Sequence, residues 1–141
     1  MSEEELEEFL AAERVVSCAT IGRRGWPHVM PLWYVIRDRA LWAWTYAASQ
    51  KVRNIERDPR ATLLVEAGEH YEQLRGVMFE TVAVIERDHD FVAALGLALY
   101  DRYLDDVTDD VRAMITRQAA KRVAIHFVER SRSSWDHRKL A

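Results

Sequence analysis

The chain is poor in several residue types that mark particular classes of protein. Its 141 residues include one cysteine, Cys18, three prolines and five glycines. A lone cysteine cannot form an internal disulfide, which excludes a disulfide-stapled scaffold and fits a reducing compartment. The glycines form no phosphate-binding loop, because Gly22 and Gly25 flank two arginines in a predicted turn and open no helix.

Membrane, nucleic-acid and catalytic motifs are missing as well. No apolar run approaches the ~20 residues of a membrane span, and the acidic start MSEEELEEFLAAE lacks the features of a signal peptide, so we expect a cytoplasmic protein without a membrane partner. A net charge of −3 gives no pull toward nucleic acid. Neither a nucleophile elbow nor a Cys/His cluster with metal spacing occurs, so we predict no catalytic dyad and no metal site.

Hydrophobic patterning predicts a mainly β protein with peripheral helices. Six strands are expected at about 15–21, 28–37, 41–46, 61–68, 73–87 and 122–129. Helices are expected after Ser2, from Ser49 to before Pro59, and at about 88–103 and 109–121. Hairpins dominate and strands do not alternate with helices, which disfavours a parallel sheet. We predict one domain over residues 1–141, a six-stranded antiparallel barrel, with a polar tail after residue 129.

Two neighbouring stretches are candidates for a binding site. GWPHVMPLWYV (25–35) contains Pro31, and a proline within a strand predicts an edge, a bulge or an opened backbone. In LWAWTY (41–46), Trp42 and Trp44 share one face of the predicted strand. Both stretches fit ordinary sheet packing. Alternatively, the first stretch presents apolar side chains to a flat ring.

A short cationic helix follows in YAASQKVRNIERDPRA (46–61). Ser49 is its predicted N-cap, so Lys51 lies in the first turn. The helix dipole disfavours a cation there by about 0.3–1 kcal/mol. Either Lys51 is solvated, or an anion binds at the free N–H groups of the helix N-terminus.

Taken in order, these motifs resemble a known family. The pattern T-x-G…G-x-P-H…P-L-W, then W…T…S-x-K-x-x-N-I-x-R-D-P-R, covers Thr20 to Trp33 and Trp42 to Arg60, and the tail SWDHRKL (134–140) fits too. The chain resembles the pyridoxamine 5′-phosphate oxidase-like split β-barrels, a superfamily of flavin and deazaflavin oxidoreductases, and especially its small F420-dependent members. The resemblance covers nearly the whole chain.

The resemblance implies a homodimer with two equivalent cofactor sites at the subunit interface. Lys51 and Ser49 would face the cofactor phosphate, with Thr45 beside it, and Asn54 would brace the helix. The remaining residues implied at the site are His28, Val29, Met30, Pro31 and Leu32 along the ring, Trp42, Ala43 and Trp44 on the next strand, and Arg75, Gly76, Trp135 and His137 from the other subunit.

The resemblance also implies an F420-dependent oxidoreductase that transfers a hydride between this deazaflavin coenzyme and a small organic substrate. An FMN-binding oxidoreductase of the same fold is the alternative. A non-catalytic flavin or deazaflavin binding protein and a haem-binding protein are further alternatives, the latter with His28, His126 or His137 as axial ligand. A basic channel for the acidic tail of F420 would come from Arg23, Arg24, Arg53 and Arg57. Oxidation of vitamin B6 is not expected, because the extra arginines and longer C-terminus of the naming oxidase are not matched.

Overall fold

The computed structural model describes residues 1–140. Its helices and strands, in chain order, are α1 (Glu3–Ala12), β1 (Val16–Ile21), β2 (Pro27–Leu32), β3 (Val35–Arg37), β4 (Ala40–Tyr46), α2 (Gln50–Arg57), β5 (Arg60–Ala67), β6 (Arg75–Glu86), α3 (His89–Tyr103), α4 (Asp109–Ala119) and β7 (Arg122–Asp136). Short 3₁₀ turns lie at Tyr71–Gln73 and His137–Lys139. In this described part of the chain, none of the helices combines the length and the apolar character needed to cross a membrane.

One antiparallel sheet contains all seven strands, in the order β2-β1-β5-β6-β7-β4-β3. β2 and β3 lie at opposite edges of this sheet, although only Trp33 and Tyr34 separate them in the chain. The step from Leu32 to Val35 spans at most about 11 Å, so the sheet must curl until its edges meet. The result is a barrel with a seam between β2 and β3, which confirms the predicted split β-barrel.

The strand predicted at 28–37 is in fact two strands, and the sheet therefore has seven strands rather than six. Tyr34, at the break, is fully buried. Arg102 of α3 donates to the Tyr34 carbonyl oxygen at 2.6 Å, and the Tyr34 N–H donates to the Tyr103 hydroxyl at 3.0 Å. Because side chains of α3 engage both backbone groups, Tyr34 leaves the strand ladder and the chain passes from one edge to the other.

β7 is longer than the strand predicted at 122–129, since it continues to Asp136. The prediction of a polar tail is therefore wrong for residues 130–136. A bulge lies where Glu80 pairs with Ser131 and Thr81 pairs with Glu129, and beyond it the backbone ladder with β6 continues. Backbone hydrogen bonds to β6 hold this segment in the sheet while polar side chains face water, so hydrophobicity gives no strand pattern.

Two hydrophobic clusters lie on opposite sides of β4. The inner cluster fills the barrel and includes Ala43, while the outer cluster includes Trp44 and residues of α3 and α4 such as Leu95 and Ile115. Alternate side chains of a strand point to opposite faces, so β4 is fixed from both sides. The turn before α2 is anchored to the end of β4 by the Ser49 N–H, which donates to the Tyr46 carbonyl oxygen at 3.0 Å.

Gly96 of α3 provides a test of this packing. A Cβ at Gly96 would overlap the Trp44 ring. Gly96→Ala should destabilise the protein by about 1–3 kcal/mol through overpacking, whereas alanine stabilises an exposed helix site by about 1 kcal/mol. Chemical denaturation measures the change, and Ala94→Gly at an exposed position of α3 is the control for helix propensity. A stabilised Gly96→Ala protein would contradict the close contact with Trp44.

Candidate functional site

The candidate anion site lies where β4 ends and α2 begins. Ser49 caps α2, and its Oγ accepts from the Val52 N–H at 3.4 Å. Lys51, in the first turn, is only 6% exposed, and its Nζ donates to Thr45 Oγ1 at 3.1 Å. The structure therefore brings together Ser49, Lys51 and Thr45, the residues predicted to surround a phosphate.

The Lys51 ammonium is a buried cation that forms no ion pair with any carboxylate of residues 1–140. Burial lowers the pKa of Lys51 from the ordinary 10.5. The neighbouring Cys18 thiol provides no counterion, because burial raises its pKa to about 11 and keeps it neutral. An unpaired buried ammonium is unfavourable, so the site is one negative charge short and an anionic ligand would supply it.

Arg122 is a second cation at this end of β4, and the sequence patterns did not reveal it. It lies opposite Tyr46 in the β4–β7 pair. Its guanidinium stacks 4.1 Å from the Tyr46 ring centroid and 4.6 Å from that of Trp44. The Nε atom is buried and, within the described chain, lacks a hydrogen-bond partner. Only the strand register places Arg122 here, and that register could not be read from local sequence.

Asn54 ties α2 to the barrel. It is fully buried, and its Nδ2 donates to Thr20 Oγ1 of β1 at 3.1 Å. Its Oδ1 accepts from Gln50 Nε2 at 2.8 Å and from Arg57 Nη2 at 3.0 Å. One side-chain amide thus fixes the helix that carries Lys51, which is the bracing geometry expected of Asn54.

The residues predicted along the ring form β2, an edge strand of the sheet. Of the alternatives predicted from Pro31, the edge position is the one that the structure shows. Val29 and Met30 are 58% and 46% exposed, and Leu32 is half-buried against the barrel core. His28 lies opposite Thr20, and its buried Nδ1 has no hydrogen-bond partner in residues 1–140. β2 therefore offers an apolar edge with one unsatisfied nitrogen.

The central residues of β4 take part in packing. Trp44 is buried under α3, and Ala43 faces the barrel core. Trp42 stacks on His126 with ring centroids 4.3 Å apart. Ordinary sheet packing therefore accounts for these three side chains, and a place for them in the cofactor site stays a prediction.

The residues assigned to the other subunit cluster at the far end of β7. Trp135 pairs with Gly76, and a Cβ at Gly76 would lie 2.6 Å from the Trp135 ring. Arg75 pairs with Asp136, and His137 Nδ1 lies 2.8 Å from the Tyr71 carbonyl oxygen. Trp135 follows Arg122 by 13 residues in β7, which is roughly 40 Å of strand. Within one chain this cluster thus lies at the opposite end of β7 from Arg122.

A cavity of about 820 Å³ lies at the opposite end of β4 from Lys51, and of the predicted residues only His126, a candidate haem ligand, lines it. Ala40 and Leu41 border this cavity. Leu41 is four residues from Thr45, or roughly 13 Å along the strand. The cavity and the anion site are separate features of the barrel.

The family model described as pyridoxamine 5′-phosphate oxidase matches residues 2–132 of the chain. The chain belongs to the pyridoxamine 5′-phosphate oxidase family. The split barrel is the fold that this membership implies, and it agrees with the strand order described above.

Solved structures show the same pyridoxamine 5′-phosphate oxidase-like fold. A conserved hypothetical protein from Mycobacterium tuberculosis is 41% identical with a TM-score of 0.92, covering 99% of this chain and 88% of that one. A structure described as an F420 reductase is 24% identical with a TM-score of 0.70, covering 90% and 94%. The heme storage protein HutZ from Vibrio cholerae is 16% identical with a TM-score of 0.73, covering 95% and 93%. The last two likenesses show the fold alone. None of the curated proteins matches the chain.

In this member of the pyridoxamine 5′-phosphate oxidase family, Lys51→Met should stabilise the ligand-free protein by about 1 kcal/mol, because methionine fills a similar volume without a buried charge. The pKa of Lys51 is lowered by burial in the folded state, so above that lowered value the unfolded chain binds more protons. The difference in stability between wild type and Lys51→Met should therefore narrow as pH increases toward 10.5. The raised pKa of Cys18 acts in the opposite direction but is common to both proteins. Chemical denaturation at neutral and alkaline pH measures both effects.

Lys121→Met is the matched control, because Lys121 is exposed and surface substitutions usually change stability by less than about 0.5 kcal/mol. A clear loss of stability in Lys51→Met at neutral pH would show that the ammonium is already compensated in the ligand-free protein. The inferred deficit of negative charge would then be wrong.

Proposed function

We propose that this protein is an F420-dependent oxidoreductase of a small organic substrate. The buried Lys51 ammonium, which no acid of residues 1–140 neutralises, supports this most directly. A cofactor phosphate would pair with Lys51 at the N-terminus of α2, with the hydroxyls of Ser49 and Thr45 adjacent. Bound F420 would supply the hydride chemistry.

The chain's own residues would bind and orient the cofactor. Val29 and Met30 offer exposed apolar surface on β2, and the unsatisfied Nδ1 of His28 would hydrogen-bond to a polar group beside them. Asn54 would hold α2, and hence Lys51, in a fixed position. Such fixed groups lower the barrier of a transfer reaction by orientation, so a dedicated acid–base pair is not required.

Surface charge favours F420 over FMN. Arg23 and Arg24 lie in the turn between β1 and β2, and Arg53 lies on the neighbouring α2; all three are exposed. These guanidinium groups would attract the acidic tail that F420 carries and FMN lacks. Arg57 differs from them, because it donates to the Ile21 carbonyl oxygen and to Asn54 and is engaged in the fold.

Lys51→Ala should weaken F420 binding by about 10-fold or more, since a charge-assisted hydrogen bond contributes roughly 1.5–3 kcal/mol. Quenching of F420 fluorescence by added protein measures the affinity. Arg37→Ala removes the same charge at the other end of β4, and it should bind F420 like wild type. Equal affinities of Lys51→Ala and wild type would contradict the phosphate assignment.

The absorption spectrum of the purified protein separates the alternatives. A colourless protein that quenches added F420 supports the proposal. A flavin spectrum indicates the FMN-dependent alternative at the same site, and a Soret band indicates haem. Binding of F420 without turnover of any tested acceptor would indicate a non-catalytic binding protein.

We also propose a homodimer in which a second copy covers the outer face of β1, β2, β5 and β6. Pro31, Ser17, Leu64 and Met78 follow one another in register across these four strands on that face. Val29, on the same face, is 58% exposed. Three of the four residues in this row are apolar, and exposed apolar side chains grouped on one sheet face support an interaction site. The second copy would also bring Trp135 and His137 to the cofactor.

Met78→Asp should dissociate the homodimer, because it places a charge on the proposed interface, at the β6 side of the apolar face. Light scattering coupled to size-exclusion chromatography measures the mass, and F420 affinity should fall with the loss of the dimer. Leu104→Asp, at another exposed apolar position, is the control and should remain dimeric. A monomeric wild type that binds F420 with the same affinity at all protein concentrations would refute the shared site.

A further inference from the structure

The cavity at the far end of β4, which we call the inner cleft, exists because two strands part. β4 and β7 pair from Tyr46 and Arg122 as far as Leu41 and Phe127. Beyond Phe127, β7 continues in the pair with β6. Residues of α1, of the β3–β4 hairpin and of α3 line the resulting gap.

The floor of the inner cleft is apolar and reaches into the barrel core. Six of its lining residues are buried hydrophobic side chains, namely Leu6, Leu10, Leu41, Leu63, Phe79 and Phe127. Its volume of about 820 Å³ falls within the range of small-molecule sites. A concave site of this size with a predominantly apolar floor is typical of small-molecule binding.

The buried polar groups around the inner cleft are already satisfied. Arg132 donates to Glu3 at 2.8 Å and to Glu129 at 2.9 Å, so the guanidinium is neutralised from both sides. Arg102 donates to backbone carbonyl oxygens, and the Thr81 hydroxyl donates to a carbonyl oxygen of β5 at 2.7 Å. None of the lining residues has a buried side-chain polar atom without a partner among residues 1–140. Glu7, Arg39 and Asp101 also line the cleft, but they are exposed to water, so the buried part of the cleft is apolar.

We propose that the inner cleft binds an uncharged, predominantly apolar small molecule at a site separate from the cofactor site. The anion site shows the opposite character at the other end of β4, with an unpaired lysine and an unsatisfied arginine nitrogen. One strand therefore connects a site suited to an anion with a site suited to a hydrocarbon.

Nile red, an uncharged apolar dye, is the probe for the inner cleft in the folded protein. Its fluorescence should rise saturably on binding, and decanol should displace it at least 10-fold more effectively than decanoate or decyltrimethylammonium. Ala98→Phe fills the cleft from α3 and should weaken dye binding at least 10-fold. Ala94→Phe adds the same ring to an exposed position of α3 and should leave dye binding unchanged.

A second cleft-filling variant and an F420-binding assay distinguish loss of the inner cleft from misfolding of the protein. Ala11→Trp fills the cleft from an exposed position of α1 and should also block the dye, even if Ala98→Phe does not fold. Lys51→Ala should bind the dye with wild-type affinity, and Ala11→Trp should bind F420 with wild-type affinity. The proposal for the inner cleft and the proposal for the cofactor site can therefore be refuted independently. Dye binding that survives both filling variants, or equal displacement by the three decyl compounds, would overturn the proposal. Conversion of Ala11→Trp to a different oligomeric state would also overturn it, because the cleft would then be a contact between subunits.

Discussion

The guanidinium of Arg102 holds the split barrel together at its seam. From α3 it donates to the carbonyl oxygen of Tyr34, at the link between the two sheet edges, and to those of Leu10 and Glu13 at the end of α1. A planar group with five donors can serve several carbonyl oxygens at once, which a lysine ammonium in the same place could not do with the same geometry. The seam fixes the positions of β2 and β3, and β3 pairs with β4. Both ends of the candidate cofactor site therefore depend on this contact.

Features with local causes could be predicted from the sequence, and features with distant causes could not. The helix after Ser49 follows from its cap and from Pro59, and the edge position of β2 follows from Pro31. The break at Tyr34 depends on Arg102, which is 68 positions away in the chain. The extension of β7 through residues 130–136 depends on the β6 backbone, whose pairing leaves no trace in side-chain polarity.

The same division applies to the candidate site. Lys51 could be singled out from the sequence, because the helix dipole disfavours a cation in the first turn. The structure adds a stronger reason, since this cation is buried and pairs with no acid among residues 1–140. Arg122 breaks no local rule, and only its register with Tyr46 places it beside the site. The two explanations for Trp42 and Trp44 could not be separated from alternation alone, since alternation shows a shared face but not what covers it.

A single chain has two unfavourable features that a homodimer with bound cofactor would remove. The Lys51 ammonium needs a negative charge, and the outer face of β1, β2, β5 and β6 carries exposed apolar side chains such as Val29. If a second subunit supplies Trp135 and His137 to the cofactor, then the cofactor binds the dimer more tightly than the monomer. Thermodynamic linkage then requires that the cofactor strengthen the dimer by the same factor. In that case binding of an anion at Lys51 and burial of the apolar face are coupled, although one site is charged and the other is apolar.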